Sequence, residues 1–247
     1  MKTKCRPGKA VAVVLNSGGV DSTTVVGLAV DRYGKENVVT VSAKYGQKHS
    51  KELECAENIA KHYGVRHTTI DLTSIMQFSN CPLLANSTEE IRHESYADQI
   101  EHDGEGMVRT YVPFRNGLLL SSVAAIAMSL VESEHYDIGY VFLGAHADDA
   151  AGEAYADCSS KFVDAMNWAI KIGTYGKVEV VAPFVLYTKK DIVNTGLSLG
   201  VPYELTWSCY EGGEKACGAC GTCIDRIAAF KANNAVDPIE YAEGIEK

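Results

Sequence analysis

Short apolar runs alternate along the chain with longer segments in which apolar residues recur every three or four positions. The short runs are rich in valine and predict strands at residues 10–15, 37–45, 66–72, 137–146 and 177–184. The longer segments predict helices at residues 21–34, 48–63, 116–132, 159–171 and 188–199. The last helix has the clearest ends, because Thr188 and Asp191 suit a capping box and Gly200 follows the final turn.

This alternation of strand and helix predicts the fold class. It is typical of an α/β protein whose Rossmann-like parallel sheet is covered by helices on both faces. Ligands of such sheets bind beyond the carboxyl ends of the strands, so we expect the functional site there. Residues 73–110 do not follow the pattern, because they are polar and rich in turn-forming residues. A stretch of this length and composition is a lid, a binding loop or a disordered segment.

Composition narrows the classes of function. The 247 residues are 46% hydrophobic, which favours one large domain over residues 1–247. The net charge of -9 disfavours general binding to nucleic acid. The most apolar stretch, residues 118–131, contains three serines and is shorter than the roughly 20 residues that a membrane span needs. We therefore expect neither a nucleic-acid nor a membrane partner, and a cytoplasmic location.

A glycine-rich loop follows the first predicted strand, in the stretch "LNSGGVDST" at residues 15–23. Gly18 and Gly19 let the backbone approach an anion closely, and the next helix directs its positive end toward the same point. A Walker loop would continue with a lysine, and this loop does not. Asp21 would repel bare phosphates, so it is either a helix cap or a neighbour of Mg²⁺.

Cysteines concentrate near the carboxyl end. Of the eight in the chain, Cys209, Cys217, Cys220 and Cys223 have the spacing C-x7-C-x2-C-x2-C. Paired C-x-x-C knuckles suit a closed tetrahedral zinc site, and such a site is structural. An iron–sulfur cluster is the alternative, but its usual pattern continues with x3-C-P, which is missing here. We expect zinc in a segment of about residues 207–226, and we interpret Cys5, Cys55 and Cys81 as ordinary residues.

These motifs together resemble the QueC family of 7-cyano-7-deazaguanine synthases, which are pyrophosphatase-loop ATPases. The resemblance covers nearly the whole chain. It rests on "LNSGGVDSTT", "YGQKHSKEL", "YVPFRNGLLLS", "GAHADDAAGEAYADCS" and "GVPYELTWSCYEGGEKACGACGTCIDR". One departure is Ala156, where many members have a proline.

The resemblance implies a carbon–nitrogen ligase of queuosine precursor biosynthesis. ATP is cut between its α- and β-phosphates, with release of AMP and pyrophosphate. One adenylation activates 7-carboxy-7-deazaguanine for attack by ammonia, and a second removes the amide oxygen to give the 7-cyano product. The sequence leaves open whether turnover stops at the amide. The resemblance also implies ATP, Mg²⁺ and Zn²⁺ as ligands, and a homodimer.

Site residues carry over by position. Those expected to hold the nucleotide are Leu15, Asn16, Ser17, Gly18, Gly19, Val20, Asp21, Ser22 and Thr23. Those expected to be catalytic are Asp21, Arg115 and Lys189, with Lys190 as the alternative lysine. Those expected to bind substrate are Tyr45, Gln47, His49, Arg115, Asn116 and Asp157.

Several of these roles have alternatives. Asp157 could pair with guanine-like N–H groups, or cap the helix that starts near Ser159. His49 could be an ordinary helix residue, and Asn116 could be a helix cap. Asp148 and Asp149 are candidates for Mg²⁺ or for ammonia. Three other functions remain: a GMP- or NAD-synthesising amide ligase, a tRNA-thiolating enzyme, and a zinc-ribbon module that binds nucleic acid.

Overall fold

The computed structural model of the chain describes residues 9–104, 106–151 and 154–247. Its strands are β1 (Ala10–Leu15), β2 (Val38–Lys44), β3 (Arg66–Asp71), β4 (Ile138–Phe142) and β5 (Val178–Val181). They form one parallel sheet in the order β3-β2-β1-β4-β5. The order reverses between β1 and β4, so a crevice opens where the carboxyl ends of these two strands meet.

Helices connect and cover the strands. They are α1 (Val20–Tyr33), α2 (Lys51–Tyr63), α3 (Thr73–Met76), α4 (Tyr96–Asp103), α5 (Arg115–Ser133), α6 (Ala147–Ala150), α7 (Ser160–Gly173), α8 (Lys189–Leu199) and α9 (Gly221–Lys231). The capping box of Thr188 and Asp191 is present at the start of α8, and Gly200 ends that helix in the left-handed conformation.

Alternate residues of β1 face two hydrophobic cores. Val11 and Val13 pack in a core that α5 and α7 cover, whereas Ala12 and Val14 pack in one that α1, α2 and α8 cover. Both faces of the strand are apolar for this reason. The structure confirms the predicted α/β class, with helices on both faces of the sheet.

Helix α5 packs on one face of the sheet beside α7. Among the helices of the described residues, only α5 has the length and the apolar composition of a membrane span. It is longer than the apolar run at residues 118–131 suggested. Its buried residues include Leu120, Val123 and Ala127, and the helix packs on β1 and β4.

All the predicted strands and long helices are present, and their ends differ by a few residues. The largest error concerns β4, which ends at Phe142 rather than at residue 146, because the chain turns out of the sheet there. Residues 73–110 are not without secondary structure, since they include α3 and α4. The sequence patterns did not predict α6 and α9 either.

The cysteine-rich segment packs with the end of the chain. Trp207 and the cysteines share a small core with Ile227, Ile239 and Tyr241. The backbone of Ala216 donates to Glu240 O at 2.9 Å and accepts from the N–H of Ala242 at 2.9 Å. The packing therefore continues beyond residue 226, where we had placed the end of the segment. Cys5 lies outside the described residues.

Candidate active site

The glycine-rich loop is held in shape by its own polar groups. Asn16 Oδ1 accepts from the N–H of Gly18 at 3.0 Å, and the side chain of Asn16 also donates to Ala56 O at 3.2 Å. Ser17 Oγ and Ser22 Oγ lie 3.0 Å apart. Helix α1 starts directly after the loop, and its first N–H groups have no partner within the helix. The loop therefore presents hydroxyls and helix amides at one end of a cavity.

Only glycine fits at position 18, because of its backbone conformation and its close neighbours. Its φ of 81° is left-handed, and a Cβ there would lie 2.3 Å from Glu52 O of α2. Its carbonyl accepts from the N–H of Trp207 at 2.8 Å. The loop is thus packed between α2 and the cysteine-rich segment.

Not every predicted nucleotide residue faces the cavity. Leu15, Asn16, Ser17, Gly19, Asp21 and Ser22 line it. Val20 is buried against Val193 and Val201. The Thr23 hydroxyl donates to Gly19 O at 2.7 Å. Val20 and Thr23 hold the start of α1 in place, and Gly18 shapes the loop.

Asp21 and Lys189 form an ion pair beside the loop. Lys189 Nζ lies 3.1 Å from Asp21 Oδ2, although the two residues belong to α8 and α1. Burial alone would raise the pKa of Asp21, but Lys189 and His146 lower it. Burial alone would lower the pKa of Lys189, but Asp21 and Asp149 raise it. Both groups are therefore charged at neutral pH.

Asp21 is not a helix cap. The N-cap of α1 is Gly19, and no side chain caps that end. Asp21 Oδ1 is buried without a hydrogen-bond partner in the described structure. A buried carboxylate oxygen next to a phosphate loop suits a divalent cation, so the residues present fit Mg²⁺.

His146 completes this charged cluster. It is buried, and its Nε2 lies 3.3 Å from Asp149 Oδ2 and 3.4 Å from Lys189 Nζ. Burial raises the pKa of Asp149. Asp148 has a different place, because its Oδ2 accepts from the backbone N–H of Lys189 at 2.7 Å. Asp149 lines the cavity, while Asp148 holds the first residue of α8.

Tyr45 and Arg115 form another part of the cavity wall. Arg115 Nη1 donates to the Tyr45 hydroxyl at 3.4 Å, and the guanidinium lies 5.4 Å from the centre of the Tyr45 ring. Burial raises the pKa of Tyr45 to about 12, although Arg115 opposes this. Gln47 also lines the cavity, but its Oε1 accepts from Tyr45 N at 2.8 Å and its amide donates to Ala43 O at 3.2 Å. Gln47 therefore fixes the loop that carries Tyr45.

Asp157 lies behind the cavity wall. Its Oδ2 accepts from Asn116 N at 3.0 Å, and Asn116 Nδ2 donates to Asp157 O at 3.2 Å. Asp157 is not among the residues that line the cavity, whereas Asn116 is. It does not cap α7 either, because Ser159 does so by accepting from Phe162 N. Its carboxylate instead binds the first turn of α5, where Arg115 is located.

His49 lies on the cavity wall between two segments. It precedes α2 and packs against Gly212, where a Cβ would come within 2.4 Å of its ring. Its Nδ1 is buried and has no hydrogen-bond partner in the described structure. His49 is therefore not an ordinary helix residue, and one ring nitrogen is free for a ligand or a water.

The four cysteines of the predicted metal site come together. The sulfurs of Cys209, Cys217, Cys220 and Cys223 all lie within 4.8 Å of one another. Zn–S bonds of about 2.3 Å place tetrahedral sulfurs about 3.8 Å apart, so the set fits zinc. The backbone N–H groups of Ala219 and Cys220 donate to Cys217 Sγ at 3.4 and 3.3 Å. Hydrogen bonds from Cys220 and Cys223 lower the pKa of Cys209, which favours the thiolate that a metal requires.

The cysteine-rich segment also forms one wall of the cavity. Trp207, Ser208, Tyr210 and Thr222 line it from this side. A buried ion pair supports the wall from behind: Arg226 Nε and Nη2 donate to Asp237 at 2.6 and 2.9 Å. Arg226 also donates to Thr206 Oγ1 at 2.9 Å. The four-cysteine cluster thus lies next to the cavity, but none of its cysteines lines it.

Residues 91–96, which precede and open α4, dock on the same segment. The hydroxyls of Tyr96 and Tyr210 lie 2.7 Å apart, and His93 Nε2 lies 2.8 Å from Glu211 Oε1. Tyr96 itself lines the cavity. Of the three interpretations of residues 73–110, a binding loop over the cavity agrees with these contacts.

Sequence models of known families separate the remaining alternatives. The family described as "Queuosine biosynthesis protein QueC" matches residues 11–234. The chain belongs to the QueC family. Its relatives include proteins named 7-cyano-7-deazaguanine synthase from Pseudoalteromonas atlantica, at 43% identity over 93% of this chain and 97% of that protein. Another is that of Caldicellulosiruptor saccharolyticus, at 44% identity over 93% of this chain and 95% of that protein.

One further relative and one solved structure are also similar to this chain. The 7-cyano-7-deazaguanine synthase of Archaeoglobus fulgidus is 43% identical over 92% of this chain and 89% of its own length. Among solved structures, NMN synthetase from Francisella tularensis has a TM-score of 0.43 and 16% identity, over 85% of this chain and 68% of that one.

In this QueC chain, sequence reasoning missed several residues that line the cavity or lie directly behind its wall. His146 follows β4 as the phosphate loop follows β1, and this position was its signal. Trp207 and Tyr210 flank the first cysteine of the metal set. Glu52 lies in the motif "YGQKHSKEL", and burial raises its pKa to about 7, although Arg115 opposes this.

Proposed function

We propose that this chain is a 7-cyano-7-deazaguanine synthase, which joins 7-carboxy-7-deazaguanine and ammonia at the expense of ATP. The observation that carries the proposal is the position of Lys189. The phosphate loop has no lysine of its own, and a lysine from α8 lies 3.1 Å from its Asp21. A loop of this kind suits pyrophosphate as the leaving group, with the lysine beside the phosphate that is transferred.

The loop residues have distinct roles in nucleotide binding. The hydroxyls of Ser17 and Ser22 and the first N–H groups of α1 donate to the β- and γ-phosphates. Asp21, through its unpartnered Oδ1, would hold Mg²⁺. This ion would offset the charge of the departing pyrophosphate.

Lys189 stabilises the charge that develops on the α-phosphate. Asp21 and Asp149 keep it protonated, so it acts as a fixed cation rather than as a base. Asp148 positions it by binding its backbone N–H. Lys190 is exposed and has no such contact with Asp21 or Asp148 in the described structure.

Each of the two carboxylate oxygens is adenylated once and leaves with AMP. In the first adenylation, a carboxylate oxygen of the substrate attacks the α-phosphate, and pyrophosphate leaves. Ammonia then displaces AMP from the acyl adenylate and forms the amide. In the second, the amide oxygen is adenylated and leaves as AMP, which gives the nitrile. Asp149 accepts protons from the nitrogen, because its carboxylate is buried in the cavity beside His146.

Arg115, Asn116 and Tyr45 bind the acid substrate. A guanidinium at the start of α5 suits a carboxylate, and Asp157 fixes that start from behind. Asp157 is then a positioning residue and does not contact the substrate. Gln47 and His49 shape the wall beside Tyr45.

Zinc at Cys209, Cys217, Cys220 and Cys223 has a structural role in this proposal. Four thiolates fill a tetrahedral zinc, so no position is left for a substrate. The metal holds the wall that carries Trp207 in place. Because such thiols persist in a reducing compartment, we place the enzyme in the cytoplasm.

We also propose a homodimer, as the family resemblance implies. The outer face of α7 exposes Trp168 and Ile172, and Tyr175 is exposed just after the helix. An exposed apolar surface of this kind is typical of a subunit interface. Analytical sedimentation of the parent and of Trp168→Glu tests this proposal. The parent should sediment as a dimer and the variant as a monomer, and a parent that is itself a monomer would contradict the proposal.

The reaction itself is tested by incubating the protein with 7-carboxy-7-deazaguanine, ATP, Mg²⁺ and an ammonium salt. Mass spectrometry should detect the nitrile, and phosphorus NMR should detect two AMP and two pyrophosphates for each nitrile. One AMP for each amide would mean that turnover stops at the first stage. ADP as the main product would contradict the proposal.

A further inference from the structure

Glu52 occupies an unusual place in the cavity wall. It lies in the first turn of α2, which starts after Ser50, and its backbone packs against Gly18 of the phosphate loop. Its side chain lines the same cavity as Tyr45, Arg115 and Trp207. Its charge acts on both Tyr45 and Arg115, so it lies close to these two side chains.

Among the residues that the structure describes, the other two carboxylates that line the cavity, Asp21 and Asp149, are already engaged, and so is Asp157 behind its wall. Asp21 pairs with Lys189, Asp149 lies beside His146, and Asp157 accepts from Asn116 N. Within the described ranges, by contrast, the Glu52 carboxylate takes part in no hydrogen bond or ion pair. It is therefore an acceptor group in a binding cavity that is available for a ligand.

The two heterocycles of the reaction differ at the edge that such a group could recognise. The six-membered ring of a 7-deazaguanine presents two adjacent donors, the ring N1–H and the 2-amino group. The corresponding edge of adenine has an acceptor at N1 and no 2-amino group. A carboxylate in its ionised form has only acceptors, so it binds the first edge through both oxygens and is repelled by the adenine N1. Burial raises the pKa of Glu52 to about 7, so this recognition is stronger above pH 7.

We infer, on the basis of the proposed function, that Glu52 is the specificity-determining residue for the acid substrate and accepts from its N1–H and 2-amino group. This assigns the part of the cavity near Tyr45 to the deazaguanine ring rather than to the adenine of ATP. The 7-carboxyl group, on the other ring, does not contact Glu52, so Arg115 and the nucleotide can both reach it. Asp157, which the sequence suggested for this pairing, is replaced by a residue of α2.

The test uses two bases and two proteins. The bases are 7-carboxy-7-deazaguanine and its analogue without the 2-amino group. The proteins are the parent and Glu52→Gln, in which one acceptor becomes a donor. Isothermal titration gives the affinity for each base without ATP, and the rate of AMP release gives the two KM values.

The parent should bind the complete base at least about 100-fold more tightly than the analogue, because a site built to accept the 2-amino group is left unpaired without it. Glu52→Gln should lose most of this preference and raise KM for the complete base by about 10-fold or more. KM for ATP should stay within a few-fold. Glu57→Gln is the control, because Glu57 lies on the exposed side of the same helix and pairs with Lys61.

Three results would overturn the inference. One is a preference that persists in Glu52→Gln, and another is a rise in KM for ATP instead of KM for the base. The third is equal binding of both bases by the parent. If Glu52→Gln does not fold, Glu52→Asp keeps the charge and should keep the preference at reduced affinity. A parent that binds the base but releases no AMP would contradict the proposed function and leave the binding test intact.

Discussion

The glycine-rich loop has no lysine of its own, but a lysine from a distant part of the chain lies beside it. Lys189 reaches Asp21 because α8 packs beside α1. Asp21 and Asp149 hold its charge, and His146 lies between the acidic groups. At the scale of single residues, the site is a set of paired charges around a loop of hydroxyls and amides.

The charge of Asp21 can be removed at constant shape with Asp21→Asn. We expect the rate of AMP formation to fall by about 100-fold or more, because the variant loses the group that holds Lys189 and the proposed Mg²⁺. Circular dichroism should show an intact fold. Asp31→Asn is the control, since Asp31 is exposed on the same helix. Activity within a few-fold of the parent would exclude a catalytic role for Asp21.

The two neighbouring lysines of α8 offer a second matched pair. Lys189→Met should reduce kcat by about 100-fold or more, because it removes a preorganised cation from the cavity. Lys190→Met should leave kcat within a few-fold, because Lys190 is exposed to solvent. Steady-state assays of pyrophosphate release compare the two. The reverse order of effects would assign the role to Lys190.

Asp237 balances a fully buried arginine. Asp237→Asn leaves Arg226 without its counter-charge, which costs about 3–5 kcal/mol of the free energy of unfolding. Tm should fall by roughly 10 °C. Glu240→Gln, three residues later, breaks only an exposed pair with Lys215 and should cost about 0–1 kcal/mol. Scanning calorimetry compares the Tm values of the two variants. Equal values would mean that the buried pair of Arg226 and Asp237 does not stabilise the fold.

At the scale of elements, the sequence predicted regular structure better than it predicted contacts. The strands and long helices follow from hydrophobic period, and Thr188, Asp191 and Gly200 marked α8 correctly at both ends. Helix α9 was not predicted, because Gly221 and Cys223 in its first turn obscure the spacing of its apolar residues. The spacing of apolar residues shows which face of a helix or strand is buried, but it does not show which other element covers that face.

The same limit explains the candidate site. The glycine-rich loop and the cysteine spacing are contiguous motifs, so the sequence could predict that Asp21 lines the cavity and that the four cysteines come together. Asp157 was assigned to the substrate, and its real partner at Asn116 N depends on how the chain folds back. Glu52 and His146 lie inside family motifs, but these motifs do not show that Glu52 reaches the cavity wall or that His146 packs beside Asp149, because tertiary packing decides both.

A further prediction concerns the cysteine-rich segment. The parent should contain one zinc per chain and be colourless, and Cys220→Ser should lower both metal content and Tm. A closed thiolate site couples metal binding to local folding. Activity should fall as well, because the element carries Trp207 of the cavity wall. Elemental analysis checks the metal, with Cys55→Ser as the control. Iron in the parent, or unchanged zinc in Cys220→Ser, would contradict the assignment.

At the scale of the whole molecule, the cavity joins two distant parts of the chain. The N–H of Trp207 donates to Gly18 O at 2.8 Å, and this contact links the metal segment to the phosphate loop. Binding at one should therefore stabilise the other, and by the same factor in both directions.

This coupling can be measured with an ATP analogue that has a methylene group between the α- and β-phosphates. The analogue should slow the release of zinc to a chelator by several-fold, because it stabilises the loop against which the metal segment packs. The metal-free protein should bind the analogue more weakly by the matching factor. Asp21→Asn, which we expect to bind the analogue poorly, should show little protection. Zinc release that does not depend on the analogue would mean that the two parts are independent.

The distant origin of Lys189 has a consequence during synthesis. A ribosome makes the phosphate loop early, and the lysine and the metal segment late, so a growing chain has an anion-binding turn long before it has the cation beside it. We propose that an unfinished chain, which lacks Lys189, cannot cleave ATP, so that the activity appears only after the last part of the chain has been made.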